Sequence, residues 1–303
     1  MGAVILQRLW RWFLDPEPFP DPRLDNAGVQ ERVRRGQALL KDAAKPAVHL
    51  EPLFGTPVPS EAVSSIGGRP SLPAGEGWPV DPKGRPMVFL AQLRFEEMPA
   101  LPNYPAKGLL SFFVGAGALH GIGWRDKTPS AFSVRYFEDA RALERAERPQ
   151  KRVASDMFGK RLRTEGAPLR AHRTELLPFI GDPEFERIVE ELGAPVPDPE
   201  ATDPSTADEL KECVEEQLME KAESDGSIAI YFGGYPRFCQ TEIRSPDDCP
   251  AMTEVLLQMG YLWKGGRAWE VCWGDAGEAT FLASKDDLAD RRFDRVLYNW
   301  DSH

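Results

Sequence analysis

The chain has 303 residues, a hydrophobic content of 42% and a formal net charge of −11 at pH 7. That length admits one large domain or two small ones, and no stretch reaches the ~18–20 apolar residues of a membrane span. Every Lys/Arg cluster is interleaved with acids, which argues against a nucleic-acid partner.

Met1 to Leu14 mixes apolar residues with Arg8 and Arg11. The apolar run is broken too early for a signal peptide, so a short amphipathic helix docked on the protein is expected. Asp15 to Pro22 is an acidic, Pro-rich hinge. Asn26 to Ala44 reads as a helix with Val29, Val33, Leu39 and Leu40 on one stripe, and residues 46–60 read as extended. A first β unit is expected over about 60–140. It opens on Gly67-Gly68-Arg69-Pro70 and holds buried-strand patterns at Met87 to Leu93 and Gly108 to Val114. Ala131 to Phe137 alternates as a half-buried strand does. A helical insert follows over about 180–224. Asp182-Pro183 starts one helix, 194–205 is a Pro-rich loop, and Thr206-x-x-Glu209 is a capping box. A second β unit is expected over about 226–303, with strands at Ile228 to Phe232, Glu254 to Gly260, Ala268 to Trp273 and Ala279 to Leu282. Ser284 caps a short helix, and Phe293 to Trp300 is the last strand. The domain division is thus an N-terminal helical extension, 1–45, and one domain, 46–303.

The two β units echo each other. Gly67-Gly68-Arg69-Pro70 is matched by Gly233-Gly234-Tyr235-Pro236, and Leu90-Ala91-Gln92-Leu93 by Leu256-Leu257-Gln258-Met259. Positions 68 and 234, 92 and 258, and 81 and 247 all stand 166 residues apart. Gly108-x-x-x-Phe112-Phe113 is repeated as Gly277-x-x-x-Phe281-Leu282 at an offset of 169. Duplication of one β plan accounts for this spacing. The expected fold class is α+β, mainly β: a roll-like body of two pseudo-repeated antiparallel β units with flanking helices.

Catalytic signatures are lacking. Gly115-Ala-Gly117-Ala-Leu-His120-Gly121 follows an apolar strand, but His120 stands where a dinucleotide fingerprint needs Gly. His49, His120, His172 and His303 show no metal-ligand spacing, and no Gly-x-Ser-x-Gly elbow is present. No catalytic residue, metal or cofactor is assigned. Cys213, Cys239, Cys249 and Cys272 form no Cys-x-x-Cys pair; reduced thiols in a cytoplasmic protein are expected, with a Cys239–Cys249 bridge as the alternative. Gln92 and Gln258 sit inside apolar strands, where an unsatisfied amide costs about 1–3 kcal/mol. Either each bonds its own Gly-Gly turn, or both face a shared cleft. Asp275 either caps the Trp273-Gly274-Asp275-Ala276-Gly277 turn or lines a pocket beside Trp273.

Together these segments resemble the YwqG-like family, a bacterial domain of unknown function. The resemblance is carried by Ser65-Ile66-Gly67-Gly68-x-Pro70-x-Leu72-Pro73, Trp78-Pro79, Pro86-Met87-x-Phe89-Leu90-Ala91-Gln92-Leu93 and Gly108-Leu109-Leu110-x-Phe112-Phe113. Gly233-Gly234-Tyr235-Pro236, Leu256-Leu257-Gln258-Met259, Trp273 to Gly277 and Asp286-Asp287-Leu288-Ala289 complete it. It implies a mainly β, roll-like body and brings no activity, cofactor or catalytic residue. The function expected first is a non-enzymatic protein-binding module, an immunity or accessory protein of a bacterial toxin system, with the acidic charge steering a basic partner. The alternative is a small-molecule binder or enzyme with a cleft between the β units, lined by Gln92, Trp124, Gln258, Trp273 and Asp275. A third role, structural, would run through the N-terminal segment.

Overall fold

Ala167–Leu176, a stretch that the sequence patterning passes over, forms the longest strand and lies at the centre of a ten-stranded antiparallel sheet. A computed structural model of the chain describes residues 27–122, 131–150, 153, 157–179, 181–192, 229–240, 243, 244, 249, 251–263 and 269–302. The expected helices at 1–14 and from Thr206, the hinge at 15–22, the loop at 194–205, Trp124, Cys213, Asp247 and His303 lie outside these residues. The chain divides into two compact units, one of residues 1–42 and 186–221, the other of residues 43–185 and 222–303.

In the first, α1 (Ala27–Asp42) realises the predicted helix. Arg35 pairs with Glu191 at 3.1 Å, and Arg187 pairs with the same carboxylate at 3.0 Å.

The second is the β body. Its first β unit comprises β2 (Ser65–Ile66), β3 (Ser71–Pro73), β4 (Val88–Arg94), β5 (Leu109–Val114), β6 (Phe132–Phe137) and β7 (Leu143–Arg145). Its second comprises β9 (Ile230–Gly233), β10 (Met252–Met259), β11 (Leu262–Trp263), β12 (Trp269–Val271), β13 (Glu278–Ser284) and β14 (Leu297–Asp301). β1 (Lys45–Pro52) precedes them in the chain, α2 (Lys160–Thr164) and β8 (Ala167–Leu176) come between them, and α4 (Lys285–Ala289) follows β13, while α3 (Pro183–Glu191) begins here and continues into the first compact unit. The predicted caps are present. Asp182 accepts from the Glu184 N–H at 2.9 Å, and Ser284 accepts from the Asp287 N–H at 3.0 Å.

The sheet order is β14-β13-β10-β9-β1-β8-β2-β4-β5-β6. It reads the same from the centre to either edge: one strand of the β1–β8 pair, then four strands of one β unit. The 46–60 segment, expected only as extended, therefore supplies a central strand. The two central strands are exchanged between the units. β1 precedes unit one in the chain but pairs with β9 of unit two, while β8 pairs with β2 of unit one. The pairing register repeats between the two units. Gln92 faces Ser65 and Gln258 faces Tyr231, so both strands of each pair keep the 166-residue offset. One strand further out, Gln92 faces Ser111 and Gln258 faces Thr280, which is the offset of 169.

Alternation sorts the side chains. Leu90, Leu110, Phe112 and Val114 of unit one and Leu257, Met259, Phe281 and Tyr298 of unit two share one core. The duplicated residues Phe112 and Phe281 meet edge-on with ring centroids 5.1 Å apart. Each unit also buries its opposite face: Leu72, Met87, Phe89 and Phe113 cluster on unit one, and Ala47, Leu176, Tyr231, Val255 and Leu282 on unit two. A sheet covered on both sides reads as continuous apolar runs, as β4 and β5 do. The body is mainly β and roll-like. Among the described residues no helix is long and apolar enough to cross a membrane.

Candidate functional site

Both predicted glutamines are structural. The Gln92 carbonyl accepts from the Ser71 N–H at 2.8 Å, and its amide donates to the Val63 carbonyl at 2.7 Å and to Ser71 Oγ at 3.3 Å. The Gln258 carbonyl accepts from the Arg237 N–H at 3.2 Å and from Thr280 Oγ1 at 2.8 Å. Its amide donates to the Arg237 carbonyl at 3.2 Å and to Glu278 Oε2 at 2.9 Å. Ser71 and Arg237 again stand 166 residues apart. A buried amide must be satisfied, and in each unit the residue that follows the Gly-Gly-x-Pro turn, Ser71 or Arg237, supplies two of the bonds. The two amides thus lie on the outer faces of separate units, and the shared cleft expected between them is not formed by this pair.

The other candidates sit elsewhere. Trp273 is fully buried, 5.2 Å from the His120 ring and 6.3 Å from Trp300. Asp275 is exposed in the tight turn closed by the Trp273–Gly277 bridge. The Gly115 to Gly121 run is a closed excursion between β5 and β6: the Gly115 N–H donates to the Ala131 carbonyl, and the Ala131 N–H donates to that of Gly121. Tyr298 and Trp300 clamp it by donating to the His120 and Leu119 carbonyls at 2.9 and 2.8 Å. His49 faces His172 across β1 and β8, and burial, then the neighbouring His172, holds it below the ordinary histidine range. Cys239, Cys249 and Cys272 carry free thiols.

The chemistry gathers at a place the motifs do not mark. A pocket of about 390 Å³ is lined by Arg69, Arg145, Arg148 and Arg161, with the Gly55 to Val58 loop as one wall. Arg69 is the third residue of the unit-one Gly-Gly turn. Gly67 and Gly68 both have positive φ, +63° and +72°, a conformation open to glycine at little cost. A Cβ at Gly67 would stand 2.4 Å from the Leu162 carbonyl oxygen, so the turn lies directly on the backbone of α2. The α2 helix brings Arg161. The β3–β7 pairing, with Ser71 opposite Arg145, brings the other two.

Three of the guanidiniums are held in place. Arg145 donates to the Val58 carbonyl at 2.7 Å and to that of Pro59. Arg148 donates to the Thr164 carbonyl. Arg161 pairs with Glu165 at 3.0 Å, and Glu165 is the one carboxylate in the lining. Partial burial lowers the Arg145 and Arg148 guanidiniums from the ordinary arginine range, and the positive charge of Arg69 acts in the same direction. Like charges brought together cost stability unless a counter-charge joins them. What such a lining can do chemically is bind oxyanions, because guanidinium forks match carboxylate and phosphate oxygens.

One sequence feature that the motifs pass over marks this place. Between Arg141 and Arg173 the chain places eight arginines and two lysines against four acids, in a protein of net charge −11.

Comparison with curated proteins finds no match. The family described as domain of unknown function DUF1963 matches residues 64–302, from just before the first Gly-Gly turn to just past β14. That span takes in both β units, both buried glutamines and the whole arginine pocket except its Gly55 to Val58 wall. The chain belongs to the DUF1963 family.

Proposed function

We propose that this domain is a binding module and that its ligand presents anionic oxygens to Arg69, Arg145, Arg148 and Arg161. The observation that carries this reading is the assembly of four guanidiniums around one space with a single carboxylate among them. Like charges gathered around one space are a common mark of a functional site. The lining holds no histidine or cysteine, which supports recognition over catalysis.

Calorimetric titration with inorganic pyrophosphate tests it. Binding should weaken steeply with added salt and fall more than tenfold in Arg69→Ala and again in Arg145→Ala. Binding that ignores both substitutions overturns the proposal. The basic protein partner expected from the sequence, with an immunity or accessory role beside a toxin, rests on the net charge and on the YwqG-like resemblance. It predicts a complex indifferent to these arginines. A bacterial, cytoplasmic setting is supported by the same resemblance and by the free thiols of Cys239, Cys249 and Cys272.

A further inference from the structure

A second pocket, of about 310 Å³, adjoins the first and shares Arg148 and Thr164 with it. Its character is different. Trp78, Val88, Phe89, Pro149 and Phe158 line it, with Arg163 among them. Trp78 is half-buried, and its indole N–H donates to the Met87 carbonyl at 2.8 Å, which fixes the ring plane. Val88, Phe89 and Phe158 are each at most 3% exposed, so this end is a rigid apolar wall. At the arginine end, Arg69 has no hydrogen-bond or ion-pair partner among the described residues.

We infer that the two pockets form one groove for a ligand that joins a phosphate group to a flat aromatic ring, of which a nucleoside diphosphate is the simplest. The inference rests on the anion-binding reading and deepens it. A carboxylate brings a single negative charge, whereas a phosphate monoester brings about two near neutral pH. With Glu165 offsetting one of four guanidiniums, three positive charges remain, and a phosphate group meets more of them than a carboxylate does. At the other end, the half-buried Trp78 ring offers a stacking surface, and stacking on an aromatic side chain accepts any base because every base has a π-face. Arg148, common to both pockets, would contact the anion where the two parts join. Arg163 adds a second cation to the same lining.

The probes are inorganic pyrophosphate and ADP, titrated calorimetrically into the full chain. ADP is expected to bind at least tenfold more tightly than pyrophosphate. Trp78→Ala should remove that preference and leave pyrophosphate affinity in place, which also reports that the variant is folded. Trp78→Phe keeps a ring and should keep most of the preference. Arg148→Ala should weaken both probes. Saturation-transfer NMR on the unmodified protein should show the adenine protons closest to the protein. Equal affinity for the two probes, a preference that survives Trp78→Ala, or adenine protons without saturation would overturn the inference and leave the anion site standing. Failure of both probes to bind would sink the anion-binding reading as well.

Discussion

Position 69 and position 235 hold the same place in the two β units, 166 residues apart in duplicated turns, and they have opposite fates. Arg69 stands in a pocket among three other arginines. Tyr235 is 2% exposed, donates its hydroxyl to the Ala43 carbonyl at 2.7 Å and is covered by the Lys45 ammonium 4.0 Å above its ring. The backbone beneath is the same. Gly68 donates to the Leu162 carbonyl and Gly234 to the Pro46 carbonyl, both at 3.0 Å. The two units share the turn and its glutamine tie, and differ in that one turn is closed and the other open. Function in such a pair is to be sought where the copies differ, because the shared features are those the fold requires.

The glycines test the shared part most severely. Gly67→Ala sets a Cβ 2.4 Å from a backbone oxygen at φ +63°, and backbone cannot swing away; a loss of at least about 3 kcal/mol is expected in denaturant melts. At the matching position, Gly233→Ala meets the end of the Leu101 side chain at 2.5 Å, which can rotate, and a backbone oxygen, that of Pro46, only at 2.9 Å, so the loss should be smaller, roughly 2 kcal/mol. Equal losses would mean that the two turns are not packed differently.

The glutamine ties come next. Gln258→Leu leaves Glu278 without its 2.9 Å donor as well as the turn unsatisfied, and should cost about 3 kcal/mol. Gln92→Leu strands only neutral partners and should cost about 2 kcal/mol in the same melts. A smaller loss at Gln258 would contradict this ranking.

Replacing Arg69 with its counterpart sharpens the comparison. Arg69→Tyr relieves like-charge repulsion, so stability should hold or rise by about 0.5 kcal/mol, while pyrophosphate affinity falls more than tenfold. Retained affinity would show that the open pocket does not depend on what distinguishes the units.

The mildest test is pH. The Asp81 carboxyl is pulled upward by burial, but the N–H groups of Arg85 and Lys83 and the Arg85 guanidinium outweigh this and hold it below the usual carboxylate range. Its folded pKa is therefore depressed. Its contribution is present above the unfolded value of about 3.9 and is lost as pH falls through the folded value. Wild type should exceed Asp81→Asn in melting temperature at pH 7, and the gap should close below about pH 4. A gap that persists there would assign it to geometry alone.

Much of the scaffold was legible in the residues. Both glutamine registers, the helix starts at Asp182 and Ser284, and the three-residue slip between Phe112 and Phe281 follow from local pattern. β1 and β8 were not. Lys45-Pro-Ala-Val-His-Leu-Glu-Pro52 and Ala167-Pro-Leu-Arg-Ala-His-Arg-Thr-Glu-Leu176 are poor in strong β-formers, and each contains proline. Their strand state comes from neighbours on both sides, a tertiary effect that overrides propensity. The arginine pocket was hidden for a related reason. Its arginines come from a turn, a strand end, a loop and a short helix, and only the pairing of Ser71 with Arg145 and the packing of the Gly67 turn on α2 gather them.

The exchange of β1 and β8 has a consequence for synthesis. A ribosome releases β1 early, but its first partner, β8, begins at Ala167 and its second, β9, at Ile230. At about 5–20 residues per second, β1 waits on the order of ten seconds with both edges bare. Pro46 and Pro52 bracket the waiting strand, and proline, which has no N–H to offer, discourages a foreign strand from pairing there. Neither half of the nascent protein can close alone. The last centre-to-edge ladder is completed only when nearly the whole chain has emerged, so a truncated product should present an open sheet edge to quality control.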